Sequence, residues 1–222
     1  MPEPSDRRSR KRAATSKAIS DAATRLFMER GFDQVTVDEI AEAADVGRMT
    51  VFNHFPRKED MFFDRDEEGR EMLREAVRQR AAGVAPLEAL HLLAHRLVAE
   101  RSPVVEFSAR SERLVPTVAG SETLKARARA IRDELADLVA AALAESVGRD
   151  TADPDAHLAA NLLLATWTVA FLEAHRTFRQ TRSREKANDA FLALVDKGAA
   201  GLEAAMAGTP YLSANQTFGA VW

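Results

Sequence analysis

Polar side chains are concentrated between Arg48 and Phe55 (RMTVFNHF), at a spacing that suits contact with a nucleic acid. If this segment is a helix, its side chains divide into two sides at about 100° per residue. One side carries Met49, Thr50, Asn53 and His54. The other side carries Val51, Phe52 and Phe55. Hydroxyl, amide and imidazole groups can bond base edges or phosphate oxygens, and a methionine can touch a thymine methyl. Arg48, in the first turn, has a side chain long enough to reach a guanine edge or a phosphate.

The residues before this segment predict a second helix that holds it in place. Gly31 can end an amphipathic first helix as a left-handed C-cap. Thr36 can then cap a helix that begins at Val37, because its hydroxyl can accept from the backbone N–H of Glu39 while the Glu39 carboxylate reaches back to Thr36. Residues 44–47 would form the turn into the polar segment. This arrangement predicts a helix-turn-helix whose second helix reads DNA.

Two cations follow at the start of a predicted fourth helix. Pro56 breaks the preceding helix, and Arg57 and Lys58 begin the next one. Cations at a helix N-terminus oppose its dipole by roughly 0.3 to 1 kcal/mol each, so a DNA phosphate there would explain them. The alternative is a solvated charge pair in a loop, with Glu59 and Asp60 offsetting the repulsion.

Residues 11–63 resemble the DNA-binding domain of TetR-family transcriptional regulators. The matching positions are Gly31-Phe32, Thr36-Val37, Ile40-Ala41, Ala44, Val46, Thr50-Val51, His54-Phe55 and Lys58-Glu59. The resemblance implies phosphate or base contacts for Thr36, Thr50, His54 and Lys58, and sequence reading by Arg48, Met49 and Asn53. The chain departs from the family at Gly47, Met49 and Phe52, where the family usually has Ser, Gly and Tyr. Phe52 keeps the position of the DNA-contacting tyrosine without its hydroxyl.

The N-terminus is basic in a chain whose formal net charge is -3. Its cations are Arg7, Arg8, Arg10, Lys11, Arg12 and Lys17. We expect residues 1–10 to form a flexible arm, with Arg12 close to the DNA, that follows the backbone or enters the minor groove. The alternative is a disordered, solubilising tail.

Composition excludes several classes of function. The chain has no cysteine, which excludes disulfides, thiol catalysis and cysteine-ligated metals. No glycine-rich phosphate loop, Ser-His-Asp arrangement or paired-carboxylate motif is present in the sequence, so we expect no enzymatic activity and no cofactor. The most apolar stretch, residues 158–172, is shorter than the roughly 20 residues that a membrane span needs. We therefore expect a soluble, cytoplasmic protein with no membrane partner.

The remaining sequence predicts further helices and no strands. The predicted ranges are 58–82 for the fourth helix, then 86–101, 103–114, 121–147, 154–178 and 183–206, with proline and glycine marking their ends. The fold class is therefore all-α, with about nine helices. We expect a helix-turn-helix domain over residues 11–57, a larger helical effector-binding and dimerisation domain over residues 58–207, and a frayed C-terminal tail over residues 208–222.

The last two helices predict a dimer interface, because each carries an apolar stripe. The eighth contributes Leu158, Leu162, Ala165, Val169 and Leu172, and the ninth contributes Ala190, Phe191, Leu194, Val195, Gly198 and Leu202. The alternative is that both stripes face their own domain's core. Dimerisation also follows from a DNA-reading role, since one short helix reads too few base pairs and a two-fold pair reads a palindrome.

The sequence identifies candidate effector-binding residues less directly than it identifies DNA-contact residues. The resemblance implies a small apolar effector among the fifth to eighth helices, and the candidate lining is His91, His95, Phe107, Arg110, Leu114, Trp167 and Phe171. Taken singly, each of these residues is better explained as an ordinary core residue than as a ligand contact. His91 and His95 have a spacing able to hold a metal, but no acidic residue lies between them, and we expect no metal site.

Together these patterns predict a sequence-specific DNA-binding transcriptional regulator. We expect a repressor that binds a palindromic operator as a homodimer and is released by a small-molecule effector. The alternative from another class is an α-helical ligand-binding protein or enzyme whose N-terminal domain is an interaction module. That alternative predicts no preference for any DNA palindrome over random DNA. A third hypothesis is an architectural DNA-binding protein, but that hypothesis does not explain the larger domain.

Overall fold

The computed structural model describes residues 4–109 and 111–214, and every regular element within these ranges is a helix. The predicted all-α class is confirmed. The α-helices are α1 Pro4–Arg30, α2 Val37–Ala43, α3 Arg48–His54, α4 Asp66–Arg78, α5 Pro86–Ala99, α6 Leu114–Ala119, α7 Glu122–Ser146, α8 Pro154–Thr181 and α9 Arg184–Ala205. Short 3₁₀ turns lie at Lys58–Met61, Pro103–Val105 and Pro210–Leu212.

The chain divides into two compact units. The first covers the chain up to residue 64 together with residues 113–128, and the second covers residues 65–112 and 129 onward. This division differs from the predicted boundary at residue 57, because α6 and the beginning of α7 belong to the first unit. Leu124 of α7 is fully buried there, and Leu114 and Val118 of α6 pack against the same core.

The first unit has an apolar core around which α1, α2 and α3 pack. Its buried members are Ile19, Ala23, Phe27, Phe32, Val35, Ile40, Ala41, Val51, Phe55, Met61, Phe62 and Leu124. Polar contacts fix α6 and α7 to the same unit. Arg113 Nη1 donates to the carbonyl of Met28 at 2.9 Å, and Ser121 Oγ donates to Asp33 at 2.9 Å.

The predicted fourth helix is divided in the structure. A 3₁₀ turn ends at Met61, the chain turns, and α4 begins only at Asp66. The interruption coincides with the division of the chain, because Phe62 is buried in the core of the first unit whereas α4 belongs to the second. Asp66, Glu67 and Glu68 then occupy the first turn of α4, where carboxylates complement the helix dipole.

The predicted sixth helix, residues 103–114, is mostly irregular. Serine side chains bond the local backbone instead: Ser111 Oγ donates to the carbonyl of Glu106 at 2.7 Å and accepts from the N–H of Ser108 at 3.0 Å. Such bonds compete with the helical ladder. The helix α6 follows at Leu114, with Pro116 in its first turn, where the missing N–H carries no cost.

The basic N-terminal segment also differs from expectation. Residues 4–10 were expected to form part of an arm, whereas α1 begins at Pro4 and runs without interruption to Arg30. Arginine, lysine and alanine dominate this stretch and are strong helix formers, and proline is well placed in a first turn. Gly31 ends the helix with φ of 85°, as predicted.

The second unit is built on the pairing of α8 with α9, against which α5 packs. Its core is rich in alanine, with Ala156, Ala159, Ala160, Ala170, Ala174 and Ala187 all inaccessible to solvent. Small residues allow close helix approach. Gly198 of α9 shows this best, because a Cβ added there would lie 2.1 Å from Cγ2 of Thr166 on α8.

Candidate nucleic-acid and effector sites

The position of α3 in the first unit follows from its caps and from one buried side chain. Thr36 and Glu39 form the predicted capping box at the start of α2. Asp45 adopts φ of 52° in the turn between α2 and α3, a conformation that aspartate tolerates better than most residues. Val51 is then fully buried in the core, which fixes the side of α3 that faces inward.

The opposite side of α3 is open to solvent. Met49 is 72% exposed, Arg48 and Asn53 are exposed, and Thr50 and His54 are half-buried. The seven residues of α3, RMTVFNH, include no carboxylate. The structure therefore brings these predicted DNA-contact side chains together on one accessible surface.

Phe52 corrects one part of the sequence interpretation. It was placed on the inward side of α3 with Val51 and Phe55, but its side chain is 36% exposed. The Cζ atom of Arg48 lies 5.5 Å from the centre of the Phe52 ring, a cation–π contact. The physical reason is geometric: a helix of seven residues with one fully buried anchor can hide only a narrow stripe.

Arg48 has a second partner. Its Nη1 atom lies 2.5 Å from Oδ2 of Asp38 on α2, and both side chains are largely exposed. A solvent-exposed pair of this kind contributes little to stability, about 0 to 1 kcal/mol. A phosphate or a guanine edge can therefore take the place of Asp38 at small cost.

The Thr36 hydroxyl is committed to the cap. It accepts from the Glu39 N–H at 3.3 Å and donates to Glu39 Oε2 at 2.8 Å. The backbone N–H of Thr36, the guanidinium of Arg30 and the Thr36 hydroxyl together lower the pKa of Glu39 to about 2. Thr36 remains exposed, but a phosphate contact through its hydroxyl would compete with these bonds.

Lys58 has partners within the first unit. Its ammonium donates to the carbonyls of Phe32 and Val35, at 2.7 and 2.8 Å, and lies 4.2 Å from the centre of the Phe32 ring. Desolvation by burial lowers its pKa. This ammonium therefore holds the loop between α1 and α2, and its contact with a DNA phosphate stays a prediction. Arg57, by contrast, is exposed, as is the arm residue Arg12.

Three of the predicted effector residues come together in the second unit. Phe107 packs against Phe171 at 5.8 Å between ring centres, and Trp167 joins them through Phe191. His175, which was not predicted, belongs to the same cluster and is fully buried. Its ring centre lies 4.5 Å from that of Phe171 and 5.1 Å from that of Phe107. It lies one helical turn after Phe171, and that spacing was the available signal.

This aromatic cluster contains unsatisfied polar atoms. Both ring nitrogens of His175 and the indole nitrogen of Trp167 are buried without a hydrogen-bond partner among the described residues. Burial, followed by the charge of Arg179, lowers the pKa of His175 to about 4. A buried donor or acceptor left unpaired costs about 1 to 3 kcal/mol, so the cluster favours a molecule that can pair with it.

The other predicted effector residues lie elsewhere. Leu114 belongs to the first unit and packs on its core, because it begins α6. Arg110 lies outside the described residues. His91 and His95 direct their Nε2 atoms to Asp196 on α9. Separately, a surface cavity of about 370 Å³ lies in the first unit between the end of α1 and α6, and none of the predicted effector residues lines it.

The stripe predicted on α8 is exposed along its length. Its five residues, Leu158, Leu162, Ala165, Val169 and Leu172, all face solvent in the single chain. The stripe on α9 is different, because Phe191, Val195 and Leu202 are buried in the core of their own unit, and Leu194 packs against that core. Gly198 faces Thr166 of α8 and is thus part of the α8–α9 crossing. The exposed face of α9 instead carries Ala193, Lys197, Ala200 and Ala204.

By length and composition α8 is also apolar enough to cross a membrane. The core helix of a soluble protein has the same length and composition, so this property alone does not indicate a membrane span. Its composition has a second explanation: α8 is apolar toward the core of its unit and also along the exposed stripe.

Comparisons with known proteins agree on one family. Residues 19–64 match the family described as bacterial regulatory proteins, tetR family. The Bacillus subtilis regulator YdeS is 46% identical over 50 residues, and the Mycobacterium tuberculosis regulator MftR is 45% identical over 49 residues. These alignments span 22% of this chain and about a quarter (25%) of each relative. TcmR of Streptomyces glaucescens is 29% identical over 201 residues, covering 78% of this chain and 86% of the relative.

Solved structures share the fold. Thermus thermophilus FadR, a TetR-family repressor in complex with lauroyl-CoA, is 26% identical with a TM-score of 0.53, over 86% of this chain and 94% of that one. NalD, a repressor of a multidrug efflux pump in Pseudomonas aeruginosa, is 22% identical with a TM-score of 0.56, over 84% of this chain and 97% of that one. The likeness to NalD concerns the fold alone.

Proposed function

This chain belongs to the tetR family of bacterial regulatory proteins, and we propose that it is a sequence-specific transcriptional regulator that binds a palindromic DNA operator as a homodimer. The exposed side of α3 is the observation on which the proposal rests. Met49 and Asn53 project from a helix anchored by Val51, and α3 contains no carboxylate that would repel a phosphate. A helix of this length fits a major groove.

The homodimer is supported by the exposed stripe on α8. Large apolar side chains in a continuous line are unfavourable in water, and a contiguous patch of this kind is typical of an interface. The exposed residues of α9 include Ala193, Ala200 and Ala204, whose small side chains would allow two α8–α9 pairs to approach closely beside the charged Lys197 and Glu203. Four helices related by a two-fold axis would bury both surfaces and present two copies of α3 to one duplex.

The effector is proposed to occupy the aromatic cluster around Phe107, Phe171 and His175. Aromatic rings favour an apolar, flat or long-chain molecule, while the unpaired nitrogens of His175 and Trp167 favour one with a polar group. The rings are packed, so such a molecule must separate them to enter. The effector would then bind the opened conformation more tightly than the packed one, and effector control requires such a difference in affinity. We propose repression, with release by the effector, as the direction of control, and the cytoplasm as its place.

Selection of duplexes from a random pool by the purified full-length protein tests the DNA-binding proposal. We expect enrichment of an inverted repeat with half-sites about 34 to 36 Å apart along the duplex, bound by two chains. Enrichment of no sequence over random DNA would refute it and favour an interaction module. The enriched duplex then permits a screen of metabolites for release, in which apolar molecules with one polar group should score.

A further inference from the structure

His91 and His95 on α5 and Asp196 on α9 bring three metal-binding groups together in the second unit. The Nε2 atoms of His91 and His95 each lie 2.7 Å from Oδ1 of Asp196. One ligand atom from each residue lies within 4.8 Å of the other two. We propose that these side chains form a binding site for a divalent transition-metal ion of the zinc class. The proposal does not depend on DNA binding.

The geometry of the cluster is close to that of an occupied site. Zinc–ligand distances of about 2.0 to 2.2 Å in a tetrahedral site separate the ligand atoms by roughly 3.3 Å. The present separation of 2.7 Å means that the carboxylate of Asp196 must withdraw by roughly 0.6 Å to admit an ion. Its side chain is 50% exposed, so rotation about its two torsions can supply that movement.

The hydrogen-bonding pattern also favours an ion. Both imidazoles direct Nε2 at the same carboxylate oxygen, so without an ion each ring presents a proton to that oxygen. When a cation takes the place of these hydrogen bonds, each neutral ring carries its single proton on Nδ1 and presents the Nε2 lone pair to the ion. The two rings already lie edge to face with centres 5.0 Å apart, which brings their Nε2 edges together.

The donor set selects the kind of metal. Two imidazole nitrogens and one carboxylate oxygen suit zinc, cobalt or nickel, whereas magnesium and calcium prefer oxygen ligands throughout. The side chains of His91 and His95 are 31% and 40% exposed, so solvent reaches the site. Three protein ligands and an accessible face leave the fourth position for water or an exogenous ligand.

Titration of the full-length, tag-free protein with ZnCl2 after dialysis against EDTA tests the site. We expect one zinc per chain, and CoCl2 should give the visible absorption of a four- or five-coordinate nitrogen–oxygen site. His95→Gln and Asp196→Asn should each weaken zinc binding by more than about 100-fold, since loss of residues that only orient ligands costs about 10- to 100-fold. MgCl2 at equal concentration should not compete.

His157→Gln is the matched control. His157 is a half-buried histidine that lies 4.0 Å from Asp137, outside the cluster, so its loss should leave zinc affinity unchanged. Thermal unfolding of each variant in metal-free buffer checks that the chain is folded, and the isosteric Asp196→Asn change limits any disturbance. Zinc binding that survives both cluster substitutions, or no saturable binding by the unaltered protein, would overturn the proposal and leave only a hydrogen-bonded cluster.

Discussion

Asn53 and Arg48 both lie on the exposed side of α3, but they differ in what holds them before DNA arrives. No hydrogen bond or ion pair is described for Asn53, whereas Arg48 is paired with Asp38 and lies against the ring of Phe52. The Asp38 pair keeps the guanidinium extended in solvent and away from the core. This exposed pair costs little to break, so Arg48 can exchange Asp38 for another partner.

We expect Asn53→Ala and Arg48→Ala each to reduce discrimination between the selected operator and random DNA by about 1 to 3 kcal/mol. Both changes remove groups that can bond a base edge and leave the packing of Val51 intact. Competition binding against the two duplexes measures the loss. Gln180→Ala, which removes an exposed amide far along the chain on α8, is the control and should change neither affinity. Equal losses on both duplexes would contradict the base-reading role.

Lys58→Met should lower the free energy of unfolding by about 1 to 3 kcal/mol, because the carbonyls of Phe32 and Val35 lose a charged donor. It should leave the salt dependence of DNA binding unchanged, since the ammonium points into the loop. Arg57→Met removes the neighbouring exposed cation and should change stability by less than about 0.5 kcal/mol. Urea unfolding and DNA titrations at several salt concentrations give both quantities. A stable Lys58→Met variant with a flattened salt slope would restore the phosphate contact.

His175 should make stability depend on pH. Burial lowers its pKa to about 4 from an ordinary value of 6.5, so the unfolded chain binds a proton over this interval and the folded chain does not. Protonation of His175 therefore does not lower the free energy of unfolding above pH 6.5. Below that pH the free energy of unfolding falls as the pH drops toward 4, because the unfolded chain binds a proton that the folded chain does not. Urea unfolding at pH 7 and pH 4.5 should show a smaller loss for His175→Leu than for the unaltered chain. The same loss in both would contradict this account, and His157→Leu serves as the control.

At the scale of elements, the α8–α9 pair depends on one close approach. Gly198→Ala should cost about 1 to 3 kcal/mol, because the new Cβ would meet Thr166 and both helices would have to shift. Thr166→Ala should recover part of this loss in the double variant. Gly69→Ala in α4, where an added Cβ meets nothing within 4 Å, should be neutral or stabilising. Thermal unfolding distinguishes these outcomes, and equal effects of the two glycine substitutions would contradict the proposed crossing.

The connection between α6 and the helix-turn-helix is the other feature at this scale. Arg113 and Ser121 bond residues of α1 and of the loop that follows it, and Leu124 completes the core of the first unit. The helix α7 contributes residues to both units.

At the scale of the whole molecule, the stripe on α8 predicts assembly. The double change Leu162→Glu and Val169→Glu places two charges on a surface proposed to be buried, so we expect a monomer with much weaker operator binding. Sedimentation and operator titration measure the two effects. Leu92→Glu places the same charge at an exposed leucine of α5 and should leave the dimer intact. A double variant that remains dimeric would place the interface elsewhere.

The amino-acid sequence by itself determined the features that depend on interactions between residues close together in the chain. The capping box at Thr36, the left-handed Gly31 and the buried Val51 follow from local hydrogen bonding and helical period, and all three appear as predicted. The apolar stripe on α8 was likewise visible in the spacing of its leucines, whereas its exposure was not. These features need no knowledge of distant residues.

Tertiary structure alone decided which partner each versatile side chain takes. Lys58 could bind a phosphate or a carbonyl, and only the fold shows the carbonyls of Phe32 and Val35 within its reach. His91 and His95 lacked a carboxylate along the chain, and folding brings Asp196 to them across 101 or more positions. The burial of Phe191 and of the α9 stripe has the same reason. The helical period of a sequence shows which residues share a face, but what covers that face depends on how the helices pack.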